Sequence, residues 1–267
     1  MPASFARTAL GLVVAAALAT FAHGDVGLDA LRATVRVDGG GQSGTAFAVA
    51  LPAADGRPEA RLLVTAAHVF EKMKGDACTA SFRTAGEDGF GRRDARVAIR
   101  AGERPLWTRH PDADVAVVPV EIPAGTDVAP FTIAQVADAG AFARGEVAVG
   151  QATWVACFPA KTEANEAGWP ILRRGAVASH PLTPIDRVKT FFIDYAHFGG
   201  DSGSAVVVDR AGTPLVAGVV VAMQRQTDRV TSPFEEKKVH TPLGLAIAVP
   251  ADRILQTIDR WREAGGN

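Results

Sequence analysis

From Ala33 to Pro250 the apolar residues of this chain come in short runs, and nearly every run is closed by Gly, Pro or Asp. "ATVRVDGGGQSGTAFAVA" (33–50) reads as strand, glycine-rich turn, strand. "RLLVTAA", "ARVAIRAG" and "DVAVVPV" follow in the same style, and "ATWVACFP", "GAVASH", "KTFFIDYA", "SAVVVD", "PLVAGVVVAM" and "LGLAIAVP" repeat it further on. Val, Ile and Ala dominate the runs, so each favours a pleated, half-buried strand. Helical spacing enters in "ADRILQTIDRWREAG", where Ile254, Leu255, Ile258 and Trp261 recur at three- and four-residue steps just after Pro250. Strands at this spacing suit an antiparallel sandwich or barrel rather than alternating βαβ units. The strand signal fades between Glu121 and Glu146, which places the connection between two halves there.

Composition narrows the class of function. The 267 residues carry a formal net charge of -1, with 48% apolar and 21% charged residues, an ordinary globular balance. Near neutrality argues against nucleic acid or an anionic membrane as the main partner. The N-terminus reads as a signal peptide spanning residues 1–22. Arg7 supplies the positive region, Ala9–Ala22 the apolar region, and Thr20 and Ala22 the small residues before a cut at Ala22/His23. The apolar run is short for a transmembrane span, so no stable span is expected after cleavage. The expected destination is export, to the periplasm or the medium. Two cysteines are present, Cys78 and Cys157. Export permits a disulfide, but "WVACFPA" reads as a buried strand, and a buried free thiol is the simpler reading of Cys157. No Cys/His spacing suits a metal, and no cofactor is expected.

Three local sequences can act together. They are "LLVTAAHVF" around His68, "HPDADVAVVPV" around Asp114, and "GGDSGS" around Ser202. Each alone has an ordinary explanation as a turn or a strand end. Acyl transfer, however, needs a hydroxyl, an imidazole to take its proton, and a carboxylate to orient the imidazole. It also needs N–H donors aimed at the developing oxyanion. Gly200 can turn the chain so that its N–H and that of Ser202 point to one spot, and any side chain at 200 is expected to crowd the substrate. Gly203 then returns the chain to a strand.

These motifs resemble those of trypsin-like (chymotrypsin-fold) serine peptidases, in that family's His–Asp–Ser order. "TAAH", "DADVAVV" and "GDSGS" carry the likeness. "GTAFAV" (44–49) is similar to the strand that precedes the histidine in bacterial members. "PLGLAIAVPADRIL" is similar to the last strand and helix of the HtrA-like branch, with no PDZ domain expected after it. The resemblance runs from about Leu31 to Trp261. It implies an all-β fold of two packed antiparallel Greek-key β-barrels with a C-terminal α-helix. The barrels would span residues 31–125 and 147–250, with a connection at 126–146 and the helix at 251–264. It implies Ser202 as nucleophile, His68 as general base, Asp114 as its orienting carboxylate, and the N–H groups of Gly200 and Ser202 as the oxyanion hole. Asp112 competes for the carboxylate role but does not abut "VAVV" and is expected to be solvated. The implied activity is that of an exported serine endopeptidase acting on polypeptides. A catalytically silent binding module and a serine esterase are the alternatives.

The same resemblance puts Ala196 at the base of the specificity pocket and Val221, Ala222 and Met223 in its wall, which suits a small or medium apolar side chain. His197 either faces that pocket or, as the simpler reading, lies exposed in the loop. Asp201 would meet a newly cut N-terminal amine in activated members. No "IVGG"-type sequence is present, so either signal cleavage alone suffices, or Asp201 finds another partner, or processing occurs elsewhere; the plainer alternative is a solvated Asp201 that only shapes the turn. The remaining histidines carry structural readings: His110 in an exposed turn, His180 at a strand end, His240 in a surface hairpin, and His23 at the cleavage junction. The oligomeric state is not written in the sequence.

Overall fold

The computed structural model describes residues 25–53, 59–84, 86, 90–231 and 235–266. The expected signal peptide lies outside them. The elements are, in order, α1 (Val26–Ala33), β1 (Thr34–Gly39), β2 (Gln42–Leu51), β3 (Ala60–Thr65), α2 (Ala67–Lys72), β4 (Ala77–Arg83) and β5 (Arg92–Ala98). Then come a two-residue pair, β6 (Arg100–Ala101) and β7 (Arg104–Pro105), followed by β8 (Thr108–Arg109), β9 (Ala116–Pro119), β10 (Phe131–Thr132) and α3 (Ala139–Ala143). The second half holds β11 (Ala152–Cys157), β12 (Ile171–Val177), β13 (Phe191–Asp194), β14 (Ala205–Arg210), β15 (Thr213–Thr231), β16 (Glu236–Pro250) and α4 (Asp252–Glu263).

Two β units result, as the fold reading expects. The first is an eight-stranded sheet in the order β5-β4-β1-β2-β3-β9-β8, with β10 pairing on β2; the second is a closed six-stranded barrel, β11-β12-β13-β16-β15-β14. In the barrel β14 returns to lie beside β11, the connection of a Greek key. Residues 126–146, read from sequence as the connection, contain α3 and β10, which runs parallel to β2.

The near-continuous apolar runs of β2, β3 and β9 have a simple cause: these strands are buried on both faces. Phe47, Val49, Leu62, Val64 and Val117 point to a core shared with the second barrel and α4. Ala46, Ala48, Leu63, Ala116 and Val118 point the other way, into the interior of the first sheet, where Val69, Phe70 and Met73 close it. Side chains alternate with a period of two, so one strand serves two cores. The β1–β2 hairpin turns on Gly40 and Gly41, at φ 57° and 81°. A Cβ at Gly40 would also strike the Lys74 backbone. Helix α4 buries Ile254, Ile258 and Trp261, the residues whose spacing announced it.

Candidate active site

His68 sits on the first turn of α2, directly after β3. Ala67, Val69 and Phe70 of that helix are buried, and this packing turns the half-buried His68 to the opposite, open side. Asp114 stands two residues ahead of β9. Its two oxygens meet one residue: Oδ2 lies 2.6 Å from His68 Nδ1, and Oδ1 accepts the backbone N–H of His68 at 2.9 Å. Burial pushes the Asp114 carboxyl up, but the two bonds from His68 and the charge of Arg109 outweigh it and hold its pKa below the usual range. With Nδ1 donating to Asp114, Nε2 is left as the free acceptor. Asp112 is exposed and its backbone N–H bonds His110 Nδ1, so of the two carboxylates Asp114 is the one on His68.

The loop before β14 carries Ser202. It is tied to the first sheet and to β15 of its own barrel. Thr45 N–H donates to the Ser202 carbonyl at 3.0 Å, and Thr45 Oγ1 donates to the Gly200 carbonyl at 2.7 Å. Thr65 Oγ1 donates to the Thr45 carbonyl at 2.7 Å, and Gly203 N–H donates to the Val220 carbonyl at 2.7 Å. Gly203 has φ 93°, and a Cβ there would overlap Thr45 and Thr65. Its smallness is therefore what lets the loop reach β2 and β3. Gly200 has φ 99°, and a Cβ there would strike the Phe158 carbonyl. The obstacle to a side chain at 200 is thus protein backbone, not the substrate named in the sequence reading. Among the described residues, neither the Gly200 nor the Ser202 N–H donates to a protein acceptor.

His68, Gly200 and Ser202 line one cavity of about 180 Å³, together with Gly199, Gln42, Ser43, Val69 and Lys72. Asp114 stands behind His68. The described hydrogen bonds include none from Ser202 Oγ to His68; bonds of this kind tighten when substrate binds. Ala196 is exposed and, like the half-buried Val221, Ala222 and Met223 of β15, lies outside the lining of this cavity.

Asp201 has another partner, one of the alternatives the sequence left open: it is fully buried, and its Oδ2 accepts from Tyr195 Oη–H at 2.8 Å and Phe198 N–H at 2.8 Å, with Arg173 Nη1 at 3.5 Å. The Arg173 guanidinium lies over the Tyr195 ring at 4.4 Å, which holds the cation beside the carboxylate. Burial, then Cys157 and Asp201, keep the Tyr195 phenol protonated far above its usual range. The expectations for His197 and His110 need correction. His197 is not exposed in its loop. It is 7% exposed, and neither ring nitrogen has a hydrogen-bond partner among the described residues. His110 is not an exposed turn residue. It is buried, accepts at Nδ1 from Asp112 N–H at 3.1 Å, and so carries its proton on Nε2, which donates to Gln256 Oε1 at 2.9 Å. Helix α4 thereby braces the loop that carries Asp114.

Thr45, Tyr195, Arg173 and Gln256 were missed as supporting residues by sequence reasoning. Thr45 sits in "GTAFAV", which was noticed only as a strand. The others lie 6 to 146 positions from the residues they bond, and no local pattern marks them. Cys78 and Cys157 are both buried and free. His180 and His240 are exposed, and His240 lies on the β15–β16 ribbon, as expected. Among the described residues no cluster of His, Cys, Asp and Glu is arranged to hold a metal ion, and no helix is long and apolar enough to cross a membrane.

The family described as "trypsin-like peptidase domain" matches residues 44–219. Among solved structures, the chain is similar to Rv3671c from M. tuberculosis H37Rv, a serine-to-alanine mutant in its inactive form, at 16% identity and a TM-score of 0.48, over 89% of this chain and 90% of that one. It is also similar to the Rv3671c protease in its inactive form, at 17% identity and a TM-score of 0.48, over 89% and 92%. At that TM-score nothing about this chain follows from either. No curated protein matches the chain.

Proposed function

The chain belongs to the trypsin-like peptidase domain family, and from that premise we propose that it is a serine endopeptidase working through Ser202, His68 and Asp114. A polypeptide substrate comes with the family. The observation that carries the rest is the double attachment of His68 to Asp114, with Ser202 and Gly200 across the same cavity.

Ser202 Oγ attacks the scissile carbonyl carbon while its proton passes to His68 Nε2. The imidazolium so formed is stabilised by Asp114 through Nδ1–H. The carbonyl electrons move to oxygen, where the uncommitted N–H groups of Gly200 and Ser202 receive the negative charge. Collapse of this intermediate breaks the C–N bond, and His68 Nε2–H protonates the leaving amine. Water then attacks the acyl-enzyme with His68 again as base, and Ser202 is regenerated.

The Asp201 network supports this reading in a second way. The residue before the nucleophile already has a cation and a phenol as partners, so a new N-terminal amine is not required to hold the loop. Export is proposed from the N-terminal sequence alone, and N-terminal sequencing of the mature protein tests it: a start at His23 is expected.

The direct test is labelling by a fluorophosphonate. Wild type is expected to be labelled and to cleave protein substrate, and Ser202→Ala to lose both. Labelling that survives in Ser202→Ala rejects the mechanism. A wild type that takes no label would instead favour a silent binding module.

A further inference from the structure

The cavity beside Ser202 does not end at the reacting groups. Its lining also takes in Val69 and Lys72 of α2, and Gln42 and Ser43 from the start of β2. Lys72 is the one lysine or arginine in this lining, and no Asp or Glu is present to neutralise it. Its neighbour Glu71 is committed elsewhere, to Arg109 at 2.6 Å. Among the described residues Lys72 makes no ion pair. Ser43 Oγ is buried and has no hydrogen-bond partner among the described residues, so a built-in polar group of this lining also lacks a protein partner there.

We propose that Gln42, Ser43 and Lys72 form a subsite for an acidic side chain on the leaving-group half of the substrate. The inference rests on the triad reading above, because that reading fixes direction. His68 hands its proton to the leaving amine, so the amine half of the substrate lies against His68 and continues along α2. Lys72 is four residues beyond His68, on the same face of the helix and about 6 Å further along its axis. An extended peptide advances about 3.3 Å per residue. Lys72 therefore meets the side chain of the first or second residue after the scissile bond. An aspartate or glutamate there supplies the missing carboxylate, and Ser43 Oγ and Gln42 supply neutral hydrogen bonds to it. The expected specificity pocket residues Ala196 and Val221 to Met223 lie outside this cavity, so the two halves of the substrate are read by separate surfaces.

The test uses internally quenched peptides that differ only in Glu, Gln or Lys at the first or second position after the scissile bond. All are extended and C-terminally amidated, so the side chain is the one carboxylate varied. Wild type is expected to show kcat/KM in the order Glu, Gln, Lys, with about fivefold between the ends, the range of an exposed ion pair. Added salt at about 0.5 M should compress the order. Lys72→Glu should invert it, and Lys72→Gln should flatten it. An order unchanged in both variants overturns the subsite. Anisotropy binding of the same peptides to Ser202→Ala gives a readout free of catalysis: tighter binding of the Glu peptide supports the subsite, and equal binding of Glu and Lys peptides overturns it. Fluorophosphonate labelling of wild type separates the failures, since a labelled enzyme with no charge preference loses the subsite and keeps the triad.

Discussion

Tyr195 Oη–H donates to Asp201 Oδ2 at 2.8 Å, and Asp201 is the residue immediately before Ser202. The phenol is buried on β13's exit, and Arg173 stacks on its ring while reaching the same carboxylate. The geometry of the Ser202 loop therefore depends on a side chain outside the loop. Tyr195→Phe keeps the ring and deletes the hydroxyl. It is expected to cost about 1–3 kcal/mol, because a buried carboxylate oxygen loses a donor. Denaturant unfolding measures that loss. Fluorophosphonate labelling should slow in parallel, and unchanged stability and labelling would reject the role.

Asp114→Asn tests the orienting carboxylate. The amide can no longer both accept from Nδ1–H and stabilise an imidazolium, so His68 is held in the wrong tautomer. A fall in kcat of about 10⁴-fold is the expected scale for this change. Asp112→Asn is the control, since that exposed residue does not touch His68. Equal losses from both variants would remove Asp114 from its special position.

Burial holds the pKa of His197 below its ordinary value of 6.5; Asp201 opposes the shift, while His68 and Arg173 reinforce it. The unfolded chain then binds a proton that the folded chain refuses. Stability is present above the unfolded pKa, near pH 6.5, and is lost as pH falls from there toward the lower folded value. The thermal midpoint of wild type is expected to drop across that window. His197→Phe removes two buried, unpartnered nitrogens, and its midpoint should fall less. Parallel curves for the two proteins would show that His197 does not titrate on unfolding.

Burial raises the Cys78 thiol to about 11 and the Cys157 thiol to about 12. Neither is reactive as a thiolate near neutral pH. Ellman's reagent is expected to find no reactive thiol in the folded protein and two after denaturation. Fast reaction of either thiol in the native state would contradict its burial.

How much of this was legible beforehand differs by residue. Strand runs and the closing helix were readable because hydrophobic period is a local property: Ile254, Ile258 and Trp261 face the core at the spacing that predicted them. His68, Asp114 and Ser202 were readable as a candidate set because each sits in a short motif whose chemistry is interdependent. His110 and His197 were misread as exposed, because a loop histidine looks solvated in a linear chain; the burial of His110 is created by a segment far away, α4. For Asp201 the sequence left a buried partner and solvation open, and β12 supplied the partner.

The sequence by itself determined the element types and the two-part β organisation and picked out His68, Asp114 and Ser202 as a candidate set, since period and motif need only neighbours along the chain. Only the tertiary structure decided what holds those groups. It placed Thr45 on the Ser202 loop, Tyr195 and Arg173 on Asp201, Gln256 on His110, and Lys72 in line with the cleft. Those relationships cross between the first sheet, the second barrel and the last helix. They exist only once burial has brought distant segments within the few ångströms over which hydrogen bonds and charges act.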